Sequence, residues 1–439
     1  MKVFLRALYL VVFLTTLVVS QQLLPALVAP QKAPTPEAIE VSVEPATLEV
    51  VCPGDFVQLG GSDGTELGDI ERIGNSEILS HFGSTGYQVE ESENAGEFTK
   101  FFVDGLEQSR DLLSAIQVQA LDLPRAQGYM ALDCGMPLSS GWFISGEASV
   151  GTESILLVAN QNSVEASVGF FIYAPSGTAE DRITLAPGEA RAIPLAKYVV
   201  GDESYSLRFE SYSAGISVAM QNRNTSGLTA TGVELVAPIL EPSSSIWLPG
   251  VVDHSAGFSS PILRVFNPSA EIASFSVSAI TASGTFVLSE FELESLSIFS
   301  SELELPQGML GLKIESNVGI VAGVKNFSLL PTMDFGWILP VTEFDSLAVL
   351  QNPVSGSSLN LSNSGAEEIS VTVKSEAGYQ SLLVLAGGIS SITVGEGEIV
   401  LQSGSPFGAN LSVFGEAGYS VLTPRENKNL GSDLAINFR

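Results

Sequence analysis

Side chains that usually carry chemistry are scarce here: 439 residues include two histidines, two cysteines and three tryptophans. His81 and His254 stand far apart with no motif around either, so a histidine triad or histidine metal site has little to build on. There is no His-Glu-x-x-His pair, no Walker loop and no dinucleotide fingerprint. Asp253-His254 imitates an acid–base pair but reads as a solvated loop. Cys52 and Cys134 lack the close pairs of a zinc site. That leaves one disulfide in an exported chain, or two separate buried thiols.

Positive charge is the next shortage. Lys and Arg number 19 against 49 Asp and Glu, giving a formal net charge of −30 and a pI near 4.2. With no basic cluster to offset it, such a surface repels phosphate backbones, which excludes nucleic acid as a partner. Charged residues of both signs make up only 15% of the chain. Ser, Thr and Gly take their place on solvent faces, as in exported β proteins.

What the chain does have is repetition, which has to be found before the fold can be read. Trp142, Trp247 and Trp337 each precede an aliphatic strand ending in an asparagine: Asn160, Asn267 and Asn363. Beyond each asparagine apolar residues alternate with small or polar ones. Ala166, Val168 and Phe170 match Ala273, Phe275 and Val277, and then Ile369, Val371 and Val373. Period two is the mark of a strand with one buried face. Pro175-Ser176-Gly177, Ala282-Ser283-Gly284 and Glu376-Ala377-Gly378 supply the following turn. A late glycine (Gly215, Gly319, Gly418) closes each copy. Units of roughly 90 to 105 residues with closely spaced turns predict tandem immunoglobulin-like β-sandwich modules in an all-β fold. The tryptophans read as core or intermodule wedges, and the asparagines as turn residues bonding their own backbone.

The N-terminus differs from the rest. Lys2 and Arg6 precede a charge-free run from Ala7 to Ala29, which predicts a signal peptide or a single-pass signal anchor over residues 1–29. Residues 30–48 read as a Pro-rich linker. Residues 49–140 form an N-terminal segment holding both cysteines, with long loops over Asp69–Phe82 and Glu91–Ser109 and a short helix near Gly105–Ile116. The repeats then occupy 141–240, 241–335 and 336–439 as a rod-like row. Asp63-Gly64-Thr65-Glu66, Asp69 and Glu90-Glu91-Ser92-Glu93 offer oxygen ligands without EF-hand order. No metal, cofactor or catalytic residue is assigned. Tyr198, Tyr205 and Tyr212 remain as material for an aromatic platform.

Several segments together resemble a known family. These are Val50-Val51-Cys52-Pro53-Gly54, Cys134-Gly135-Met136-Pro137, Gly141-Trp142-Phe143-Ile144-Ser145-Gly146, Leu156-Leu157-Val158-Ala159-Asn160 and Ala186-Pro187-Gly188. They are similar to a family of unknown function whose members are exported or membrane-anchored proteins of high-GC Gram-positive bacteria. The likeness spans most of residues 49–425. It implies an envelope location, a Cys52–Cys134 disulfide and tandem sandwich modules, and it brings no catalytic residues. Family genes often accompany a glycosyltransferase. The chain departs from the family in its acidity and in carrying Gln161 where Pro268 follows the second asparagine.

The expectation is therefore a non-enzymatic cell-envelope scaffold or interaction protein. It would be attached to the membrane by its N-terminal segment, or secreted, with an envelope protein or polysaccharide as partner. The alternative is a carbohydrate-binding accessory to surface polysaccharide assembly.

Overall fold

The computed structural model describes residues 39–41, 48–60, 70–82, 87–92, 96–103, 113–252, 257–425 and 434–436. The hydrophobic segment 1–29, most of the linker, Asp63–Asp69, Glu93 and Asp253-His254 lie outside the described residues. Two compact units form, residues 1–45 with 431–439, and residues 46–430. In the first, β1 (Ile39–Val41) pairs antiparallel with β34 (Leu434–Ile436).

Within residues 46–430 the structure is all-β, in antiparallel sheets. The first repeat carries eight strands: β10 (Ser140–Gly146), β11 (Thr152–Ala159), β12 (Ala166–Ala174), β13 (Gly177–Leu185), β14 (Ala190–Pro194), β15 (Tyr205–Ser211), β16 (Ser217–Ser226) and β17 (Thr229–Val236). They form two sheets, β10-β15-β12-β13 and β14-β11-β16-β17. Ala166, Val168, Phe170 and Ile172 of β12 all point into the space between them.

The second repeat follows the same plan with β18 (Ser243–Pro249), β19 (Ile262–Phe266), β20 (Ala273–Thr281), β21 (Gly284–Leu293), β22 (Ile298–Glu302), β23 (Met309–Ser328) and β24 (Asp334–Ile338). One long strand, β23, does the work of β15 and β16. Its first half pairs β18 and β20, and its second half pairs β19 and β24. The third repeat adds a short leading strand, β25 (Glu343–Phe344), on β32. It then repeats the plan with β26 (Leu347–Asn352), β27 (Ser357–Asn363), β28 (Ile369–Ser375), β29 (Gly378–Val384), β30 (Gly388–Val394), β31 (Gly397–Ser403), β32 (Phe407–Gly415) and β33 (Gly418–Leu422). Its sheets are β26-β31-β28-β29 and β30-β27-β32-β33.

Residues 48–135 form a reduced fourth copy: β2 (Leu48–Cys52), β3 (Phe56–Leu59), β4 (Ile70–Ile73), β5 (Glu77–Phe82), β6 (Gln88–Glu91), β7 (Thr99–Val103), β8 (Leu113–Leu123) and β9 (Ala126–Asp133). Among the described residues the sheets β2-β7-β6 and β5-β8-β9 match the plan without its fourth and fifth strands, and β3-β4 is an added pair. This corrects the reading of Asp69–Phe82 and Glu91–Ser109 as long loops, since both contain strands. The helix expected near Gly105–Ile116 is also corrected where it is described, because Leu113–Ile116 open β8. These strands escaped notice because β6 is exposed along its whole length and β4 is nowhere buried. Without a buried face, a strand writes no alternation into its sequence.

Two equivalences assumed between repeats also fall. Trp337 lies on β24, the last strand of the second repeat, where it pairs with Lys325. It does not open the third, so that repeat begins after Ile338 and not at residue 336. Gly418 opens β33, whereas Gly215 and Gly319 precede or lie within the strand before the last one.

The rod-like row is corrected as well. The final strands β9, β17, β24 and β33 touch in a closed circuit, β9 to β17 to β24 to β33 and back to β9. Apolar clusters run across every junction. Leu121 and Leu132 pack with Ile155 and Leu235, and Phe143 and Leu207 with Phe266 and Trp337. Leu263 and Val324 pack with Tyr419 and Val421, and Leu361 and Leu411 with Ile116 and Ala131. Residues 46–430 are a ring of four sandwiches, closed through their last strands.

Candidate functional site

The three asparagines make one repeated construction. Asn160 Nδ2 donates to the carbonyls of Val164, Leu185 and Ala186, and its Oδ1 accepts from the Asn162 amide. Asn267 does the same to Glu271, Leu293 and Glu294, with Ser269 as donor. Asn363 bonds Glu367, Val384 and Leu385, with Gly365 as donor. Each buried amide thus ties the end of the second strand to the end of the fourth, on the opposite sheet. The sequence suggests only a local turn. The bond across the sandwich depends on a partner more than 20 residues away.

The tryptophans sit at junctions. Trp142 is half-buried, with ring centroids 6.1 Å from Tyr173 and 5.6 Å from Phe266 of the second repeat. Trp247 packs with Ile280 and with Ile389 of the third repeat. Trp337 lies in the core cluster of the first repeat, with the Arg264 guanidinium 5.0 Å from its ring centroid. Cys52 and Cys134 are bonded, with an S–S distance of 2.02 Å, next to a Val51–Gly135 backbone bridge. In the first repeat, Trp142 and Ile239 exchange backbone hydrogen bonds at the corresponding place, where the chain leaving the last strand passes the first.

At the centre of the ring is a carboxylate hub. Asp334 Oδ2 accepts from the amides of Tyr129 (2.8 Å) and Tyr419 (3.0 Å). Its Oδ1 accepts from Val233 (3.1 Å) and from Phe335 (2.9 Å). One side chain therefore binds the last strands of the three other modules. Glycine makes room for it: a methyl group on Gly128 or Gly232 would come within 2.6 Å of Asp334 Oδ1, and one on Gly418 would also clash with the carboxylate. The pattern was present in the sequence as Gly128-Tyr129, Gly232-Val233, Asp334-Phe335 and Gly418-Tyr419. It is hidden there because Gly418 also lies at the same spacing from its asparagine as Gly215 does.

Glu234, next along β17, is a second buried carboxyl. Its Oε1 accepts from Ser420 Oγ (2.8 Å) and the Leu235 amide (3.0 Å), and Ser420 also bonds Ala131 of β9. Burial raises Glu234 well above the usual carboxylate range, and the Asp334 charge adds to the rise. Burial pushes Asp334 up to about 8 against the pull of its four amides.

A third buried group joins the first two repeats. Glu147 meets Arg264 at 2.6 Å and Lys325 at 2.8 Å through both oxygens, all three nearly inaccessible. Burial lowers Lys325 to about 8, while Lys325 and Arg264 together hold Glu147 below its ordinary value despite burial. Charges this deep require their partners, because losing one leaves another uncompensated.

On the outside, a cleft of about 730 Å³ lies between the N-terminal copy and the first repeat, lined by Glu49, Glu90, Glu91, Glu97 and Glu189 with Lys100 among them. Lys100 Nζ is 2.8 Å from Glu90. Among the described residues no group of three His, Cys, Asp or Glu is placed to hold a metal ion. His81 Nδ1 lies 2.5 Å from Glu398 of the third repeat, an ion pair across the ring's closing junction when the histidine is protonated. The three tyrosines do not converge: Tyr205 is buried in the core, Tyr198 bonds Asp181, and Tyr212 stands exposed beneath Arg182.

Fold and hub together define an all-β protein of sandwich modules whose buried polar groups join its parts. The chain belongs to a family of unknown function, DUF5719, matched over residues 93–383. No curated protein matches it. Among solved structures, the Thermotoga maritima protein 1070 is similar at 14% identity and a TM-score of 0.23, over 24% of this chain and 97% of that one. A 1.5-MDa bacterial ice-binding adhesin is similar at 13% and 0.11, over 65% and 96%. The α-L-rhamnosidase of Streptomyces avermitilis is similar at 10% and 0.12, over 86% and 55%. Scores this low carry no functional argument.

Proposed function

We propose that the protein is a non-enzymatic interaction protein of the cell envelope, held outside the membrane by its N-terminal segment. The observation that carries this reading is the placement of its most perturbed carboxyls. Perturbed groups in a cleft point to catalysis. Here Asp334 and Glu234 are enclosed where modules meet, and Asp334 is bound to the backbone of its neighbours. The disulfide agrees with an oxidising compartment, and the basic flank before Ala7–Ala29 agrees with export.

A partner would meet the sheet edges. β13, β21 and β29 are edge strands, and exposed apolar side chains stand on two of them, Phe286 and Val287 on β21 and Tyr379 and Leu383 on β29. Edge strands offer unpaired backbone groups for strand addition. The carbohydrate-binding alternative has less support, because the exposed rings of Tyr87, Tyr212, Phe286, Tyr379 and Phe414 are spread over all four modules.

Photo-crosslinking residues placed at Phe286 and Tyr379 of the full chain, in intact cells, test the proposal. The expected result is a discrete envelope adduct from at least one position and none from a control at exposed Leu228. Turnover of a cell-wall or sugar substrate by the purified chain contradicts it.

A further inference from the structure

The hub has a property that packing alone does not require. Two carboxyls, Asp334 and Glu234, are enclosed at the junction of four strands, and they differ in how a negative charge would be held. Asp334 has four amide donors from four strands. Glu234 has a hydroxyl and an amide on Oε1 and the Val421 amide facing its carboxyl, while its buried Oε2 makes no hydrogen bond of ordinary geometry. A carboxylate with several backbone donors tolerates ionisation, whereas a buried one with an unmatched oxygen resists it.

Beyond these hydrogen bonds, no cation among the described residues compensates a charge on Glu234. β9 presents Tyr129 and Ala131, β33 presents Tyr419 and Ser420, and β24 presents Phe335 and Gly336. Tyr129 and Tyr419 are themselves buried phenols whose ionisation burial suppresses. Lys325 lies 4.0 Å from the Phe335 ring centroid but is bound through both oxygens of Glu147. The hub can therefore hold one negative charge with good geometry, and among the described residues no cation faces a second.

We propose that the hub is a charge-limited latch: the closed ring holds at most one negative charge, best placed on Asp334, and it opens along its last strands as Glu234 gives up its proton. Ser420 is the linking element, since its hydroxyl bonds both Glu234 and the Ala131 backbone and so couples three modules to the state of one carboxyl. Repulsion between the two carboxylates would act on strands whose backbone bonds converge on Asp334, while the sandwich cores stay intact.

Hydrogen exchange on the full chain, expressed as protection factors corrected for intrinsic rate, tests this between about pH 5.5 and pH 8.5. Opening lets buried carboxyls ionise, so protection of the Tyr129, Val233 and Tyr419 amides should fall with rising pH, by roughly tenfold per unit for each carboxyl protonated in the closed ring and ionised in the open one. Amides inside single modules, such as Leu157 and Leu359, should hold. In Glu234→Gln, which keeps the shape and removes the second charge, the fall in hub protection should be shallower by roughly tenfold per unit. Unchanged hub protection in the wild-type chain overturns the proposal. So does the same decline in Glu234→Gln, or loss of module-core protection together with the hub. If Glu234→Gln does not fold, the wild-type series alone still decides the matter.

Discussion

Single side chains do unusually long-range work in this molecule. Asp334 is the clearest case, because removing it strands three amides from three other modules in a dry junction. Each unsatisfied buried donor costs about 1–3 kcal/mol, so Asp334→Ala should unfold the ring at a much lower temperature than wild type, as read by calorimetry. Asp334→Asn keeps the size and one acceptor and should lose less. Asn267→Ala deletes the two amide N–H donors that serve three carbonyls, and the oxygen that accepts from Ser269. It should cost about 2–4 kcal/mol, measured by urea melting with exchange localised to the second repeat. The importance of the asparagines was legible in the sequence because they recur after each strand. The hub was not, because an aspartate in place of a glycine looks like divergence until the strands are seen to meet.

Elements were legible where one face is buried and the other wet. The strands after each asparagine wrote clean alternation, and their turns carried the required glycine, so β12, β20 and β28 could be placed by residue number. The N-terminal copy was obscured because β4 and β6 have no buried residue and β8 is buried on both faces along most of its length. A strand sealed between β5, β9 and the third repeat has no reason to alternate. Among its described residues that copy also shows no fourth or fifth strand, and its first strand is joined covalently to the end of its last. With the cysteines 82 positions apart, the chain-entropy contribution is about 4–5 kcal/mol. Replacing both cysteines by serine should therefore melt β2 and β7 first, seen as loss of exchange protection there while the third repeat keeps its own.

For the whole molecule, the sequence foretold copies of one sandwich but not their arrangement. Trp142, Trp247 and Trp337 looked like markers of repeat starts, yet each is a junction residue, which is why one could belong to a final strand. The arrangement also fixes how stability depends on pH. Asp133 is pushed up to about 7 and Asp334 to about 8, both chiefly by burial. A carboxyl whose folded value is raised favours the protonated native state. Its contribution is complete below the unfolded value near 4 and is lost as pH rises through the folded value. Thermal stability of the full chain should therefore decline from about pH 4 to pH 8. A melting temperature that rises over that range would contradict the burial of these groups. The Lys325 contribution has the opposite sign, but it begins only at about 8 and above.

The central claim is that the last strands close four sandwiches into a ring, bringing the N-terminal copy against the third repeat. Spin labels at exposed Glu77 and Glu396, both close enough to Tyr129 to act on its hydroxyl, read that junction directly by pulsed electron resonance. Closure predicts one narrow distribution at the short end of the method's range. A broad distribution at separations spanning two modules would show an open row and contradict the account.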